Sequence, residues 1–178
     1  MCIRDRRYAW FEELRREHGY AAIAVAHHAD DSIETFFINL LRGTGLRGLT
    51  GISTRMGRVV RPLMFASRRE ILEYAVAQKI PFREDSSNRS TKYLRNKIRL
   101  GLIPRIREIN PKFTDLMRRN IERLTDTQLF IDAAVAHMRE DVVTQADGIA
   151  TIHVERIEAA YPHNFAVYEL LSSQYGFK

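Results

Sequence analysis

Apolar residues recur at helical spacing from the start of the chain. Tyr8, Phe11 and Leu14 share a face between Asp5 and His18, and Gly19 follows as a stop. The run AAIAVAH, Ala21 to His27, has the continuous apolar character of a strand buried on both faces in a parallel sheet. Helical period returns from Asp31 to Arg42, with Ile33, Phe36, Phe37 and Leu40 on one side. After a glycine-rich loop, RVVRPLM, Arg58 to Met64, reads as a second strand that Pro62 ends or confines to an edge. Ser67-Arg68-Arg69-Glu70 is a capping box that predicts a helix to about Lys79, stopped by Ile80-Pro81. From Phe82 to Ile106 a polar loop gives way to a helix running from Ser90 until Pro104. Asn110-Pro111 is a boundary, because the residue before proline is pushed out of helical geometry. Beyond it Phe113, Met117, Ile121, Leu124, Ile131, Val135, Met138 and Val142 predict one long helix to about Val143. Gln128 interrupts that stripe, which reads as core-facing and not as a coiled coil. Ala146-Asp147-Gly148 is a turn, Ile149 to Val154 a short strand, and a last helix begins near His163.

Strand and helix alternation before Asn110 predicts an α/β fold: the C-terminal part of a doubly wound, Rossmann-like parallel sheet, followed by an α-helical region. The expected division is 1–110 and 111–178. Two strands cannot cover the faces of such a sheet, so the chain is expected to be part of a larger domain. At 178 residues and 45% hydrophobic content it can still bury a core. The formal net charge of +6 and a pI near 9.7 favour an anionic partner such as a nucleotide or nucleic acid. Cys2 is the single cysteine, which excludes a disulfide framework, a cysteine zinc cluster and a C-x-x-C redox pair. No apolar run reaches the ~18 residues of a membrane span, so a cytoplasmic protein without a membrane partner is expected.

Chemistry concentrates where the first strand runs out, in AHHADDSIET, Ala26 to Thr35. Asp31, Glu34 and Thr35 fall at i, i+3 and i+4, so two carboxylates share a face beside two histidines. A solvated first turn favoured by the helix dipole is one reading. A divalent metal site is another, but adjacent histidines need not converge and no third region supplies further ligands, so none is expected. The third is a site that grips a cationic substrate beside a nucleotide, with carboxylates on an ammonium and histidines on phosphate or ring atoms. A second cluster joins Asp85, Ser87 and Asn88 to Arg95, Asn96 and Arg99, where Arg95 and Arg99 share a helical face with Lys92. Guanidinium forks in such a stripe suit phosphate, of a nucleotide or of an RNA backbone. GTGLRG, Gly43 to Gly48, matches G-x-G-x-x-G but follows a helix and precedes a strand, the inverse of the dinucleotide fingerprint. It reads as a flexible loop beside the Asp31 to Thr35 face, a wall of the substrate cleft.

HHADDSIET, then LLRGTGLRGLTGI, VVRPL, EDSSN and LRNKIR, in this order and spacing, resemble the tRNA(Ile)-lysidine synthetases, members of the N-type ATP pyrophosphatases. The resemblance is close from about Tyr8 to Pro111, and beyond it the chain is similar to the start of that family's tRNA-binding C-terminal part. It implies a ligase that uses ATP, with Mg2+, to adenylate the C2 oxygen of the wobble cytidine in the CAU anticodon of tRNA(Ile). The amine of L-lysine then displaces AMP. It also implies that Asp31 and Glu34 hold the lysine ammonium, one of them relaying its proton, while Arg99 offsets the adenylate charge or orients lysine. His27 and His28 would lie near the nucleotide; Thr35, Arg95 and Asn96 belong to the same motifs, and Arg7 would reach the same cleft. The family's Ser-Gly-Gly-x-Asp-Ser loop does not occur in this sequence, so the chain alone is expected to be an incomplete, inactive portion. A homodimer is allowed. Two alternatives stand beside this reading. A tRNA thiolase of the same superfamily would need cysteines, and a non-catalytic RNA-binding fragment would use the basic stripe alone.

Overall fold

The computed structural model describes residues 3–83, 93–147, 149–159 and 162–175. By its internal contacts the chain forms two units, Met1–Leu124 and Thr125–Lys178.

In the first unit, helix α1 (Ile3–Glu17) leads to strand β1 (Ile23–Ala24), helix α2 (Ala29–Arg42), the single turn α3 (Leu46–Leu49) and strands β2 (Arg55–Met56) and β3 (Val59–Val60). Helix α4 (Arg68–Ala77), α5 (Leu94–Lys97), a π-turn (Ile98–Leu102), α6 (Ile103–Ile109) and the start of α7 (Phe113–Val142) follow. The sheet has the order β1-β3-β2: β1 and β3 are parallel, β2 and β3 antiparallel. The described strands therefore form a mixed sheet with one parallel pair, and not the parallel sheet that the strand–helix alternation suggests. β2 escapes the apolar pattern because Arg55 and Met56 are both exposed. β1 is also shorter than AAIAVAH implies; Ala24 is exposed, and the ladder is carried by Ile23 N–H on the Arg58 carbonyl and Val25 N–H on the Val60 carbonyl.

α2 organises the unit. Ile33 and Ile38 pack with Ile98, Ile103, Phe113, Met117 and Ile121, with Phe36 and Phe37 at the margin. A fully buried Ile such as Ile33, 1% exposed, contributes roughly 1.5–3 kcal/mol. Leu40, expected on the same face, is exposed instead, because the buried positions of α2 end at Ile38, two residues earlier. The helix through Arg99 does not stop at Pro104. At the π-turn the Ile103 N–H bonds the Ile98 carbonyl, five residues back, and Pro104 enters the first turn of α6, where a missing N–H is tolerated. Ser67 and Glu70 form the expected capping box of α4.

In the second unit α7 runs into a hairpin of β4 (Val143–Ala146) and β5 (Ile149–Ile152), followed by α8 (Val154–Ala159) and α9 (His163–Tyr175). Val142, Ile157 and Leu170 form its core. β4 was not evident in the sequence, since three of its four residues are exposed and carry no alternation.

Candidate active site

α2 begins at Ala29, and its N-cap is His28, a residue seldom used there. The His28 Nδ1 accepts the Asp31 N–H at 3.4 Å, and Asp31 Oδ2 accepts the His28 N–H at 3.1 Å. This reciprocal box fixes the Asp31 carboxylate. One turn on, Glu34 is 1% exposed and is gripped by Arg99, whose Nε and Nη2 donate to Oε1 and Oε2 at 2.5 and 3.0 Å. Arg99 Nη2 also donates to Asp31 Oδ1 at 3.3 Å. The Glu34 carboxylate raises the Arg99 pKa further, with Asp31 and Asp30 adding to the effect against burial. Arg95 lies 3.9 Å from Asp31 and 3.8 Å from Glu34, and its Nη2 donates to Thr35 Oγ1, which in turn donates to the Asp31 carbonyl at 2.8 Å.

The solvated-turn reading of Asp31 and Glu34 is therefore overturned: both are buried, in an ion network that joins α2 to the helix 60 residues downstream. Burial of charge at this level requires pairing, and two guanidiniums supply it. Arg99, which makes this grip on Glu34, lies within the π-turn. Asn96 is buried beside it. Asp85, Ser87, Asn88 and Lys92 lie outside the described residues.

Two cavities flank the network. One, of about 540 Å³, is lined by His28, Asp30, Glu34, Arg68, Arg99 and Arg107 among others. The other, of about 440 Å³, lies at the carboxyl end of β1 and is lined by Arg7, Tyr8, Phe11, His27, Asp31 and Arg95 with the strand backbone. The site residues expected from sequence thus divide: His28, Glu34 and Arg99 face the larger cavity, and His27, Asp31, Arg95 and Arg7 the smaller. GTGLRG lines neither. Its Gly48 carbonyl accepts Asn39 Nδ2 at 2.8 Å, which ties the loop to the later turns of α2, and Leu46–Leu49 is helical, not a flexible wall.

Sequence reasoning missed Asp30 and Arg61, and it offers Arg107 only as added charge in the basic stripe. Asp30 Oδ2 accepts the Arg68 N–H at 2.7 Å, and Oδ1 accepts Arg107 Nη2 at 2.7 Å; Arg107 Nε donates to Thr114 Oγ1 at 3.0 Å. These bonds lace α2, α4, α6 and α7 around the larger cavity. Arg61 is 8% exposed, with Nη1 on the Ser53 carbonyl and Nε without a hydrogen-bond partner. An arginine inside the apolar run VVRPL was the available signal.

The His27 Nδ1 is buried and has no hydrogen-bond partner. Burial pushes its pKa below the ordinary 6.5, and Arg61, Arg95 and Arg7 reinforce this against Asp31. The unfolded chain therefore takes up this proton first as pH falls. The stability linked to neutral His27 should be lost from about pH 6.5 down to the lowered value and then level off. Thermal melts between about pH 7.5 and about pH 5 should show a shallower loss for His27→Gln than for the unsubstituted chain; equal slopes would refute a desolvated His27.

The smaller cavity, at the carboxyl edge of a parallel strand pair and lined by Arg7, Arg95 and the His27 side chain, suits a phosphorylated ligand. Fold and site together define an α/β domain with a cavity at that edge. The chain belongs to the PP-loop domain family, whose model matches residues 2–106. It is 42% identical to the tRNA(Ile)-lysidine synthase of Parabacteroides distasonis over 177 residues, 99% of this chain and 40% of that protein. It is 42% identical to the tRNA(Ile)-lysidine synthase of Bacteroides thetaiotaomicron over 144 residues, 81% of this chain and 34% of that protein. For the Porphyromonas gingivalis W83 protein of the same name the identity is 38% over 178 residues, 99% of this chain and 38% of that protein. The chain thus spans about two fifths of the length of the curated relatives it matches. Among the described residues no group of three or more His, Cys, Asp or Glu is placed to hold a metal ion, and no helix is long and apolar enough to cross a membrane.

Proposed function

We propose that the chain is the lysine- and nucleotide-handling portion of a tRNA(Ile)-lysidine synthase, a ligase that joins L-lysine to C2 of the wobble cytidine of the CAU anticodon at the expense of ATP. The observation that carries this reading is the buried Asp31–Glu34–Arg99–Arg95 network standing between two cavities. The relatives' name, tRNA(Ile)-lysidine synthase, supports this choice of substrates. Residues 1–110 are read as part of a doubly wound catalytic domain, with β1 and β3 as its parallel pair, and 111–178 as the start of the tRNA-binding part.

The smaller cavity takes the nucleotide. Arg7 and Arg95 can face phosphate oxygens, the His27 ring can lie against the base or ribose, and Tyr8 and Phe11 offer apolar surface. Mg2+ would travel with the phosphates, as is usual for this ion, and not in a protein cage. The larger cavity takes lysine. A free amino acid carries a cationic and an anionic end, and this cavity presents Glu34 and Asp30 beside Arg68, Arg99 and Arg107. Each ionised carboxylate has about four lone-pair sites, so Glu34 can accept from an ammonium in this cavity while still bonded to Arg99, and Asp31, which faces the smaller cavity, is joined to it through the same guanidinium. Expulsion of water lowers the amine pKa, and one carboxylate relays the proton as nitrogen attacks C2. The bond from C2 to the adenylated oxygen then breaks, with AMP as leaving group, and Arg95 and Arg99 offset its charge.

The test is a chimera. Residues 3–175 replace the matching segment of the Parabacteroides distasonis protein, and the product is supplied with ATP, lysine and a tRNA(Ile) transcript bearing CAU. Mass spectrometry should find lysidine, and Asp31→Asn should lower its rate of formation about a hundredfold. A chimera that folds and binds ATP yet forms no lysine adduct, or that adds sulfur, sinks the reading.

A further inference from the structure

We propose that Phe65 is a stacking platform for an unpaired base of the RNA, a role that rests on the tRNA-modifying reading above. Its side chain is 74% exposed. A single exposed apolar residue needs no explanation by itself. Phe65 differs in that its backbone is pinned. Its carbonyl accepts Arg118 Nη1 at 3.0 Å, and the neighbouring Ala66, itself buried, donates to the Leu63 carbonyl at 3.1 Å and accepts the Ala29 N–H at 2.9 Å. Two residues later the chain forms the wall of the larger cavity at Ser67, Arg68 and Arg69, where the Arg68 N–H is held by Asp30. An aromatic ring is thus carried on a fixed turn that runs directly into the cavity assigned to lysine.

That arrangement suits a nucleobase. A ring with two side-chain torsions on an immobile backbone gives up little freedom on binding, and base–aromatic stacking is worth several-fold to about a hundredfold in affinity. Arg118, bonded to the Phe65 carbonyl, and Arg69, four residues on with a side chain 82% exposed and 3.7 Å from Glu73, supply guanidiniums on the same segment for the phosphates that flank a splayed base. A reacting cytidine must leave its stack to reach the cavity, and a neighbouring loop base then needs a new stacking partner. Phe65 provides it.

The probe is an RNA hairpin with CAU in its loop, carrying 2-aminopurine in turn at each loop position. On the 178-residue chain, binding should quench the fluorescence at one position. Phe65→Tyr should keep the quench; Phe65→Ala should abolish it and weaken binding about tenfold. The slope of log affinity against log salt should be unchanged by Phe65→Ala and smaller by about one for Arg69→Ala, which separates stacking from charge. The exposed ring should leave the melting temperature of Phe65→Ala unaltered. If Phe65→Ala keeps both quench and affinity, stacking on Phe65 is wrong while the tRNA reading stands. If the unsubstituted chain fails to bind the hairpin, both fall.

Discussion

Arg99→Ala is expected to destabilise the chain by about 3–5 kcal/mol, the range for breaking a buried pair from one side. The reason is the asymmetry between Glu34 and its partner. Glu34 has a side chain 2% exposed, Arg99 one of 20%, so removing the guanidinium strands an almost wholly buried carboxylate without its main partner. Arg95 does not replace it, since its nearest approach to Glu34 is 3.8 Å and its side chain is 40% exposed. Natural domains are stable by only about 5–15 kcal/mol, so the urea midpoint should fall sharply or the transition vanish. Arg99→Lys should recover part of the loss, because an ammonium restores the charge but not the two-pronged grip. Combining Arg99→Met with Glu34→Leu should cost less than Arg99→Ala alone, since no unpaired charge then remains. A midpoint unchanged in Arg99→Ala would mean that Glu34 is solvated in solution, and the buried network would be wrong.

The same network shows what the sequence could disclose. Asp31, Glu34 and Thr35 on one face of α2 follow from helical period, and the carboxyl end of a strand marks where a ligand belongs. The core positions Ile33, Met117 and Ile121 follow from the same rule. Periodicity is local, however, and the bonds that give Asp30 and Glu34 their meaning span 77 and 65 residues. An acid in a first helical turn reads as a dipole partner, whereas its burial depends on which arginine returns to it. Local rules also misled at Pro104, because a π-turn shifts the hydrogen-bond register just ahead of the proline. His28 is a ligand candidate by sequence, and in the structure it also caps α2 and orients Asp31, a role that no local pattern announces. β2 and β4 were silent because exposed short strands carry no alternation.

Gly51→Ala is the second large effect, expected at about 2–4 kcal/mol. Two costs combine there. The backbone of Gly51 has φ +69°, a left-handed conformation that costs a side-chain-bearing residue about 1–2 kcal/mol. A methyl group would also fall 2.1 Å from Ser32 Oγ and 3.3 Å from Ile121 Cγ2. Ser32 cannot simply turn away, because it is buried and its Oγ accepts the Ile52 N–H at 3.0 Å. Other glycines separate the two costs. Gly43, at φ +75° with nothing within 4 Å, should show the backbone cost alone when changed to Ala. Gly48, whose added methyl would meet the Thr44 side chain at 2.0 Å without a left-handed backbone, should show the steric cost alone. Adding Ser32→Ala to Gly51→Ala removes the oxygen in the way but orphans the Ile52 N–H. The pair should therefore cost less than the sum of the single changes, with a coupling of about 1 kcal/mol. Strictly additive costs would mean that α2 and the segment after GTGLRG do not pack as closely as this, and Ser32 would then have no part in holding the loop to the helix that carries Asp31 and Glu34.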